Sequence, residues 1–455
     1  MAQEKRGKSQ MTDIEKLIEP VGEAFTIPEE AKVHTDMNLN TVNIPMLLMV
    51  FVMIVFGLVV LYSVSGPDAY GLYHDSAHFL KRQIIQTLIG LVGCIVISFI
   101  PIWVFSQKWV MVGAYGLSLA LAFWTLAVGV GSEHGATRWV NIGPIQFQSS
   151  EVIKVALIVA FACYRAAADK ARRSGKLPIP KNRRSRDIFC AMIDLGIPVI
   201  FILIVDVVII MQPHVSCFII IGLVIFLSAL VSEIPLRSWL VAVGTMLGFA
   251  IVIGGFVFAL MPTESRDRIL KNYSHVFKRI AIFRQGDDDE EDPDNTLTKD
   301  DTRQIDNAHN ALGSGGMWGV GLGNSRSKYN YVAEAQNDYI FSIYVEETGF
   351  VGGLILISMY MIMFVMCVKV ILRADGVFAR TVATGCTALI FVEVLMNISV
   401  ELQVIPATGV TLPFMSYGGT AQIMLLAAYG LILSVSKYGK RPKENRSKHL
   451  PKKAA

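Results

Sequence analysis

The sequence predicts an all-α protein that crosses a membrane about ten times. Apolar residues make up 53% of its 455 residues and charged residues only 17%, too little polar surface for a water-soluble chain of this length. Windows of about 20 apolar residues recur, and that length crosses about 30 Å of hydrocarbon at about 1.5 Å per residue. The alternation typical of a membrane barrel is absent, so helices are the elements that satisfy the backbone in lipid.

Ten spans are predicted, at 43–64, 83–100, 109–130, 151–164, 188–210, 215–232, 239–261, 350–372, 377–400 and 415–437. The first begins too far from the N-terminus, and is too long, for a cleaved signal peptide, so we expect it to be retained. The spans and their loops form one membrane domain, 43–437. A polar segment of mixed charge, 1–42, precedes it, and a basic tail, 438–455, follows it.

Lysine and arginine are concentrated in two segments that an even number of spans places on one side. Nine of these residues lie between Arg165 and Arg186, and the tail after the last span is also basic. Because basic loops stay in the cytoplasm, we expect both termini there. Topology therefore accounts for the net charge of +4, and no nucleic-acid motif occurs in the sequence.

The same topology places a large loop, 262–338, on the outer face between the seventh and eighth helices. It holds seven acidic residues between Asp287 and Asp294, which should repel one another and stay solvated. It then becomes rich in glycine from Gly313 to Gly323, which fits either a structural turn or close approach to a ligand. The six cysteines and eight histidines form no metal-ligand spacing.

Some charged residues lie where a membrane protein rarely places them. Glu151 and Lys154, three residues apart, share one face of the fourth predicted helix. Such residues face protein or a wet cavity, so the pair is either a structural ion pair or part of a path for substrate or protons. Arg266 and Arg268 begin a basic cluster on the outer face, which suits the phosphate of an anionic lipid but also a lipid-surface helix.

Asp338 lies at the outer edge of the eighth predicted span, between Asn337 and Tyr339. A carboxylate in this place can act as a general base toward a hydroxyl group. It can equally cap the N-terminus of the eighth helix, where aspartate is favoured. From the residues alone both roles stand.

Three segments, in the same order along the chain, resemble motifs of the SEDS family (shape, elongation, division and sporulation), which includes FtsW, RodA and SpoVE. They are "GATRWVNIGPIQFQSSEVIK" (135–154), "GLGNSRSKYNYVAEAQNDYIFSIYVEETGFVGG" (321–353) and "IPATGVTLPFMSYGGT" (405–420). The resemblance covers about 43–437, and the second segment is closer to FtsW and SpoVE than to RodA.

The resemblance implies a peptidoglycan glycosyltransferase that polymerises lipid II, a disaccharide-peptide on undecaprenyl pyrophosphate, at the outer face of the bacterial cytoplasmic membrane. It implies that Asp338 is the catalytic base that deprotonates the 4-hydroxyl of the acceptor sugar. The substrate-binding residues that it suggests are Arg266, Arg268, Lys328, Glu334, Arg138 and Ser416. No nucleotide is needed, but a divalent cation, Mg²⁺ or Mn²⁺, could assist at the leaving pyrophosphate, with ligands that the sequence does not identify.

The chain departs from the family pattern at a few positions. Ala333 and Ser149 stand where the family usually has proline. His214 replaces an acid that would partner Lys154, so we expect a cavity ion network of Glu151, Lys154 and His214 in which His214 pairs with Glu151. The acidic run 287–294 also lies outside the usual pattern.

The resemblance implies lipid II, a single-span class b penicillin-binding transpeptidase, other division or elongation proteins and membrane lipids as partners. We expect the transpeptidase to pack on the eighth and ninth spans, because Gly349, Gly352 and Gly353 would allow close helix approach. The alternative function is a lipid II flippase, which should show internal repeats and a midplane site. No repeat occurs, and the informative polar residues crowd the outer face. The sequence does not distinguish division, elongation and sporulation.

Overall fold

The computed structural model describes residues 43–131, 137–142, 145–177, 180, 182–212, 214–231, 299–329 and 335–439. These residues are mainly helical, which confirms the predicted all-α class. The acidic run 287–294, the seventh predicted span and both terminal segments lie outside them.

Twelve helices occur in this described part of the chain. They are α1 Ile44–Tyr73, α2 His78–Phe99, α3 Ile102–Phe105, α4 Lys108–Val128, α5 Ser149–Arg173, α6 Arg183–Ala191, α7 Ile197–Ile210, α8 Val215–Val231, α9 Lys299–Ser314, α10 Ile340–Arg373, α11 Val377–Glu401 and α12 Gly419–Tyr438. A π-helical turn, Met192–Gly196, joins α6 to α7. Three short antiparallel strands lie in the order β1 Val130–Gly131, β2 Thr137–Ile142 and β3 Ile145–Phe147.

Seven helical segments of the described residues are long and apolar enough to cross a membrane: α1, α2, α4, Ser185–Ile210, α10, α11 and α12. Two further predicted spans coincide with α5, which carries more charge, and with the shorter apolar helix α8. Nine of the ten predicted spans therefore correspond to helices, and the tenth, 239–261, falls outside the described residues. The helix of the eighth span begins at Ile340 and is broken at Gly349, so the predicted span 350–372 corresponds to the part of the helix that follows the break.

The helices α11 and α12 form the centre of the bundle. In each, 78% of the membrane-spanning window is buried, against 33% in α10 and 17% in α4. α12 packs along α2, and α11 contacts α5, α8, α10 and α12. The peripheral helices turn apolar side chains outward, as lipid contact requires.

Helix α10 is broken at Gly349, where φ is +72°. The glycine-rich turn 315–319 packs into this break, and a Cβ on Gly319 would lie only 2.2 Å from the carbonyl oxygen of Glu347. Four backbone bonds join the two segments: Val320 N–H to Glu346 O (3.0 Å), Gly321 N–H to Glu347 O (3.0 Å), Phe350 N–H to Gly316 O (2.9 Å) and Val351 N–H to Met317 O (3.2 Å). The glycine-rich segment is therefore a structural turn, because its backbone repairs the hydrogen bonding of the broken helix.

Candidate functional site

A clamp of backbone and amide bonds positions Asp338. The residue lies in a turn immediately before α10. Asn397 of α11 donates from Nδ2 to the carbonyl oxygen of Asp338 (2.8 Å) and to that of Val410 (2.8 Å). The N–H of Tyr417 donates to the carbonyl oxygen of Gln336 (2.8 Å). The turn is thus tied both to α11 and to the outer loop 402–418 that joins α11 to α12.

The carboxylate of Asp338 faces this outer loop. A Cβ built on Gly409 would lie 3.4 Å from Oδ2 of Asp338, and Gly409 has a φ of +69°, which favours glycine. Asp338 is half-buried, so its carboxylate is both held by the fold and accessible to a ligand.

The N-terminus of α10 is capped from a neighbouring helix. Its N-cap residue is Tyr339, which makes no side-chain capping bond. Instead, Oε2 of the buried Glu401, the last residue of α11, accepts hydrogen bonds from the N–H and the hydroxyl of Ser342, at 2.5 Å each. Glu401 therefore supplies a cap at this end of the helix, and a capping role for Asp338 stays a prediction.

Unsatisfied acceptors surround this turn. Among the buried side-chain oxygen atoms that make no hydrogen bond within the described residues, several belong to this turn or to residues near it, including Oε1 of Gln336, Oδ1 of Asn397, Oε1 of Glu401 and Oγ1 of Thr408. Buried polar atoms are nearly always bonded, so such a group calls for an explanation. Hydroxyl-rich ligands would supply the missing donors.

Lys154 lies between two carboxylates inside the bundle. Its Nζ is 2.8 Å from Oε1 of Glu151 and also pairs with Oε1 of Glu393 on α11, and all three side chains are buried. Glu151 and Lys154 thus form an ion pair, as one of the two alternatives predicted, and Glu393 extends it. Because the cation is enclosed by two anions, the geometry favours the structural alternative.

His214 stands just before α8 and is buried. Its pairing with Glu151 stays a prediction. Asp194, on the π-helical turn, pairs with Arg165 and Arg172 of α5, so this acid also serves helix packing.

Lys328 belongs to a second buried network. Its Nζ donates to Oε1 of Glu347 (2.8 Å) and to the carbonyl oxygen of Ser63 on α1 (3.2 Å), and the hydroxyl of Ser63 donates to Oε2 of Glu347 (2.6 Å). Lys328 is only 3% exposed. Lys328 thus belongs to a buried ion network in which Glu347 compensates its charge, and its substrate contact stays a prediction.

Ser416 also has partners within the fold. Its hydroxyl accepts the N–H of Leu412 (2.8 Å), and its carbonyl oxygen accepts Nε2 of Gln83 (3.3 Å). It therefore shapes the outer loop 402–418, and a direct substrate contact stays a prediction.

The other predicted substrate-binding residues are described little or not at all. Arg266, Arg268 and Glu334 fall outside the described residues. Arg138 stands on β2, and only its backbone is described. Their roles stay predictions.

Sequence reasoning missed a polar stripe on α11. Glu393, Asn397 and Glu401 are spaced four residues apart, which places them on one helix face. The stripe joins the buried ion pair of Lys154 to the turn of Asp338. Its signal was present in "EVLMNISVE", where only these three residues interrupt the apolar run with charge or amide.

The three glycines expected to receive a partner helix are buried within the chain itself. A Cβ on Gly352 would lie 2.0 Å from Oγ1 of Thr348, and one on Gly353 would lie 3.1 Å from Cγ2 of Val345. Internal packing therefore explains these glycines, and the reason given for placing the transpeptidase on the eighth span was wrong.

A divalent cation stays a prediction. No group of three or more His, Cys, Asp or Glu side chains that could hold a metal occurs in the described part of the chain. The oxygen atoms around Asp338 are of the type that Mg²⁺ prefers, and Mg²⁺ is often held by one or two carboxylates together with substrate phosphates. The residues present fit that mode of binding.

A family model described as "Cell cycle protein" (FTSW_RODA_SPOVE) matches residues 44–441. The chain belongs to this family. The SEDS resemblance is thereby confirmed, since FtsW, RodA and SpoVE are members of the SEDS family.

Two relatives are similar to this SEDS chain over most of its length. A protein of Trichlorobacter lovleyi named "Probable peptidoglycan glycosyltransferase FtsW" is 31% identical over 400 residues, which cover 87% of this chain and 93% of the relative. "Stage V sporulation protein E" of Bacillus subtilis is 30% identical over 405 residues, which cover 87% of this chain and 98% of the relative.

Solved structures share the SEDS fold. A chain of a peptidoglycan synthase complex aligns with a TM-score of 0.63 at 23% identity, covering 87% of this chain and 98% of its own length. The rod shape determining protein RodA of Thermus thermophilus aligns with a TM-score of 0.58 at 21% identity, covering 89% of this chain and all of its own.

Proposed function

We propose that this SEDS chain is a peptidoglycan glycosyltransferase that polymerises lipid II at the outer face of the cytoplasmic membrane. The names of its relatives support this activity, as does the fold it shares with a chain of a peptidoglycan synthase complex. One observation carries the proposal: Asn397 clamps the backbone of Asp338 beside the outer loop 402–418, and the half-buried carboxylate of Asp338 faces that loop.

Asp338 acts as the general base. It takes the proton of the acceptor sugar's 4-hydroxyl as that oxygen attacks the anomeric carbon of the donor. The bond from this carbon to the lipid pyrophosphate breaks, and the pyrophosphate leaves with the electron pair. A base positioned in this way contributes typically about 10²–10⁴-fold in rate.

The groups around Asp338 orient the sugars. The unbonded oxygens of Gln336, Asn397 and Thr408 accept hydrogen bonds from sugar hydroxyls. Because Asn397 also holds the carbonyl oxygen of Asp338, the same side chain couples sugar position to base position.

The leaving pyrophosphate needs positive charge nearby. Arg266 and Arg268 of the large outer loop supply it, since the planar guanidinium group matches phosphate oxygens. A divalent cation, when bound, would neutralise part of the same charge.

The proposed partners are lipid II and a class b penicillin-binding transpeptidase. The complex from which a neighbouring structure comes couples polymerisation and crosslinking, which supports a crosslinking partner for this chain. Peripheral helices such as α10, with many apolar side chains exposed, offer it a surface in the membrane.

The test is polymerisation of purified lipid II by the purified full chain, read as glycan bands on a gel. Wild type is compared with Asp338→Asn and with Asp75→Asn, a matched change of an exposed carboxylate on the same outer face. We expect glycan from wild type and Asp75→Asn, and none from Asp338→Asn.

A parallel assay follows labelled lipid II across vesicle membranes. Transfer without any glycan, undiminished in Asp338→Asn, would instead assign the chain as a flippase.

A further inference from the structure

A cavity of about 200 Å³ lies at the opposite end of the bundle from Asp338. It opens where α1 begins and where α10 and α12 end. Its lining combines two cations, Lys369 and Arg373, with the polar residues Asn43 and Ser436. At about 30 Å³ for each water molecule, it has room for about seven.

The two cations share one face of α10 because they are four residues apart. Both are exposed, and neither makes an ion pair with any described residue. No acidic residue is among the lining residues. The cavity therefore concentrates positive charge that the described part of the chain does not neutralise.

The cavity also has an apolar wall. Met366 and Val370 line it one turn further into the bundle, and the outward side chain of Val365 is exposed. By the positive-inside bias, this end of α1, α10 and α12 faces the cytoplasm, where the inner leaflet carries anionic lipid. A head group placed in the cavity would thus leave its acyl chains beside apolar side chains.

We propose that this cavity binds the phosphate group of an anionic phospholipid of the inner leaflet. Lys369 and Arg373 bond the phosphate oxygens, and Asn43 and Ser436 bond the remaining head-group oxygens. A cation in the last turn of a helix, such as Arg373, is favourable without any ligand, but that effect accounts neither for Lys369 nor for the cavity. The proposal is independent of the catalytic function.

The experiment titrates the purified full chain with phosphatidylglycerol or phosphatidylcholine and counts retained lipids by native mass spectrometry. The variant is Lys369→Gln with Arg373→Gln. Its matched control is Lys108→Gln with Lys176→Gln, which removes two exposed cations from the same membrane face outside the cavity. We expect phosphatidylglycerol affinity to fall about thirtyfold in the variant, since two nearby cations at about 1 kcal/mol each contribute about 2 kcal/mol. It should fall less than twofold in the control, whose two cations lie outside the cavity.

Two further titrations accompany this experiment, one with a single variant and one with a competitor. Lys369→Gln alone keeps the charge at the helix end and should show an intermediate loss. Inorganic phosphate is titrated as a competitor and should displace lipid only at far higher concentrations. Equal losses in variant and control, equal retention of phosphatidylcholine, or competition by phosphate at lipid concentrations would each overturn the proposal.

Discussion

The two ends of the polar stripe on α11 are built for different purposes. At one end Glu393 faces the buried cation of Lys154, which Glu151 also neutralises. At the other end Glu401 caps α10 through Ser342. Each of the two acids keeps one oxygen without a bond within the described residues, so the two ends differ in the partner of the other oxygen, which is a buried cation for Glu393 and a helix N-terminus for Glu401.

The largest expected effect is on polymerisation and is expected at Asp338, beside the Glu401 end of the stripe. Asp338→Asn keeps the size of the side chain but removes the base, so polymerisation should fall by at least about 100-fold. The carbonyl oxygen that accepts from Asn397 is backbone and survives the change, so the fold should be kept. The initial rate of glycan synthesis from lipid II measures the loss.

At the Glu393 end of the stripe, we expect a loss of stability that exceeds any loss of activity. Lys154→Met leaves Glu151 and Glu393 without their cation in a buried place, and breaking a buried ion pair by removing one partner costs about 3–5 kcal/mol. The melting temperature of this variant in detergent should be far below that of wild type. Arg173→Ala, which breaks an exposed pair with Asp169, is the matched control and should cost about 1 kcal/mol or less. If the two variants have the same melting temperature, the buried ion pair of Lys154 does not stabilise the fold.

Loss of the clamp made by Asn397 should lower both the stability of the fold and the rate of polymerisation. Asn397→Ala removes the donor to the carbonyl oxygens of Asp338 and Val410, which costs about 1–3 kcal/mol when buried acceptors lose their partner. Because Asp338 then loses its fixed position, we also expect a lower turnover number. Hydrogen exchange at 335–339 and steady-state kinetics check the two effects, and unchanged exchange would contradict the clamp.

The outer loop offers a smaller contrast between its basic and acidic parts. Replacing Arg266 and Arg268 together should reduce polymerisation more than about tenfold, because both would face the charge of the leaving group. Deleting 287–294 should leave the rate within about threefold, since these like charges build no coordination shell. Both variants are assayed on one lipid II batch at fixed metal. Loss of synthesis in the deletion alone would reverse the two assignments.

The smallest effect is expected at Asp75, in the connection between α1 and α2. The hydrogen bond from the side chain of Lys81 lowers the pKa of Asp75 below its usual 3.8. A lowered folded-state pKa stabilises the fold above the unfolded value and loses that contribution as pH falls through the folded value. The difference in melting between wild type and Asp75→Asn should therefore be small at pH 7, begin to shrink near pH 3.8 and disappear only below the lowered pKa of Asp75 in the folded state. A difference that grows on acidification would contradict this.

Most of the helices, but few of their contacts, could be predicted from the sequence. Apolar length is a local property, so nine predicted spans correspond to helices in the described residues. The pair of Glu151 and Lys154 was also local, at i and i+3. The partner Glu393 is 239 residues from Lys154, and no spacing rule connects them.

The same limit applies to the partners of Lys328 and to the cap of α10. A cation near a motif resembles a substrate ligand until the break at Gly349 brings Glu347 beside it. Capping by Glu401 was not predictable either, since it depends on α11 ending beside the start of α10. The four-residue spacing of the stripe is visible in the sequence, but the residues that its side chains contact are not.

The most direct test measures polymerisation and melting on the same preparations of wild type, Asp338→Asn and Lys154→Met. We predict that Asp338→Asn melts like wild type yet makes no glycan, whereas Lys154→Met melts far below wild type. Glycan synthesis by Asp338→Asn at the wild-type rate would contradict the central claim that Asp338 is the catalytic base.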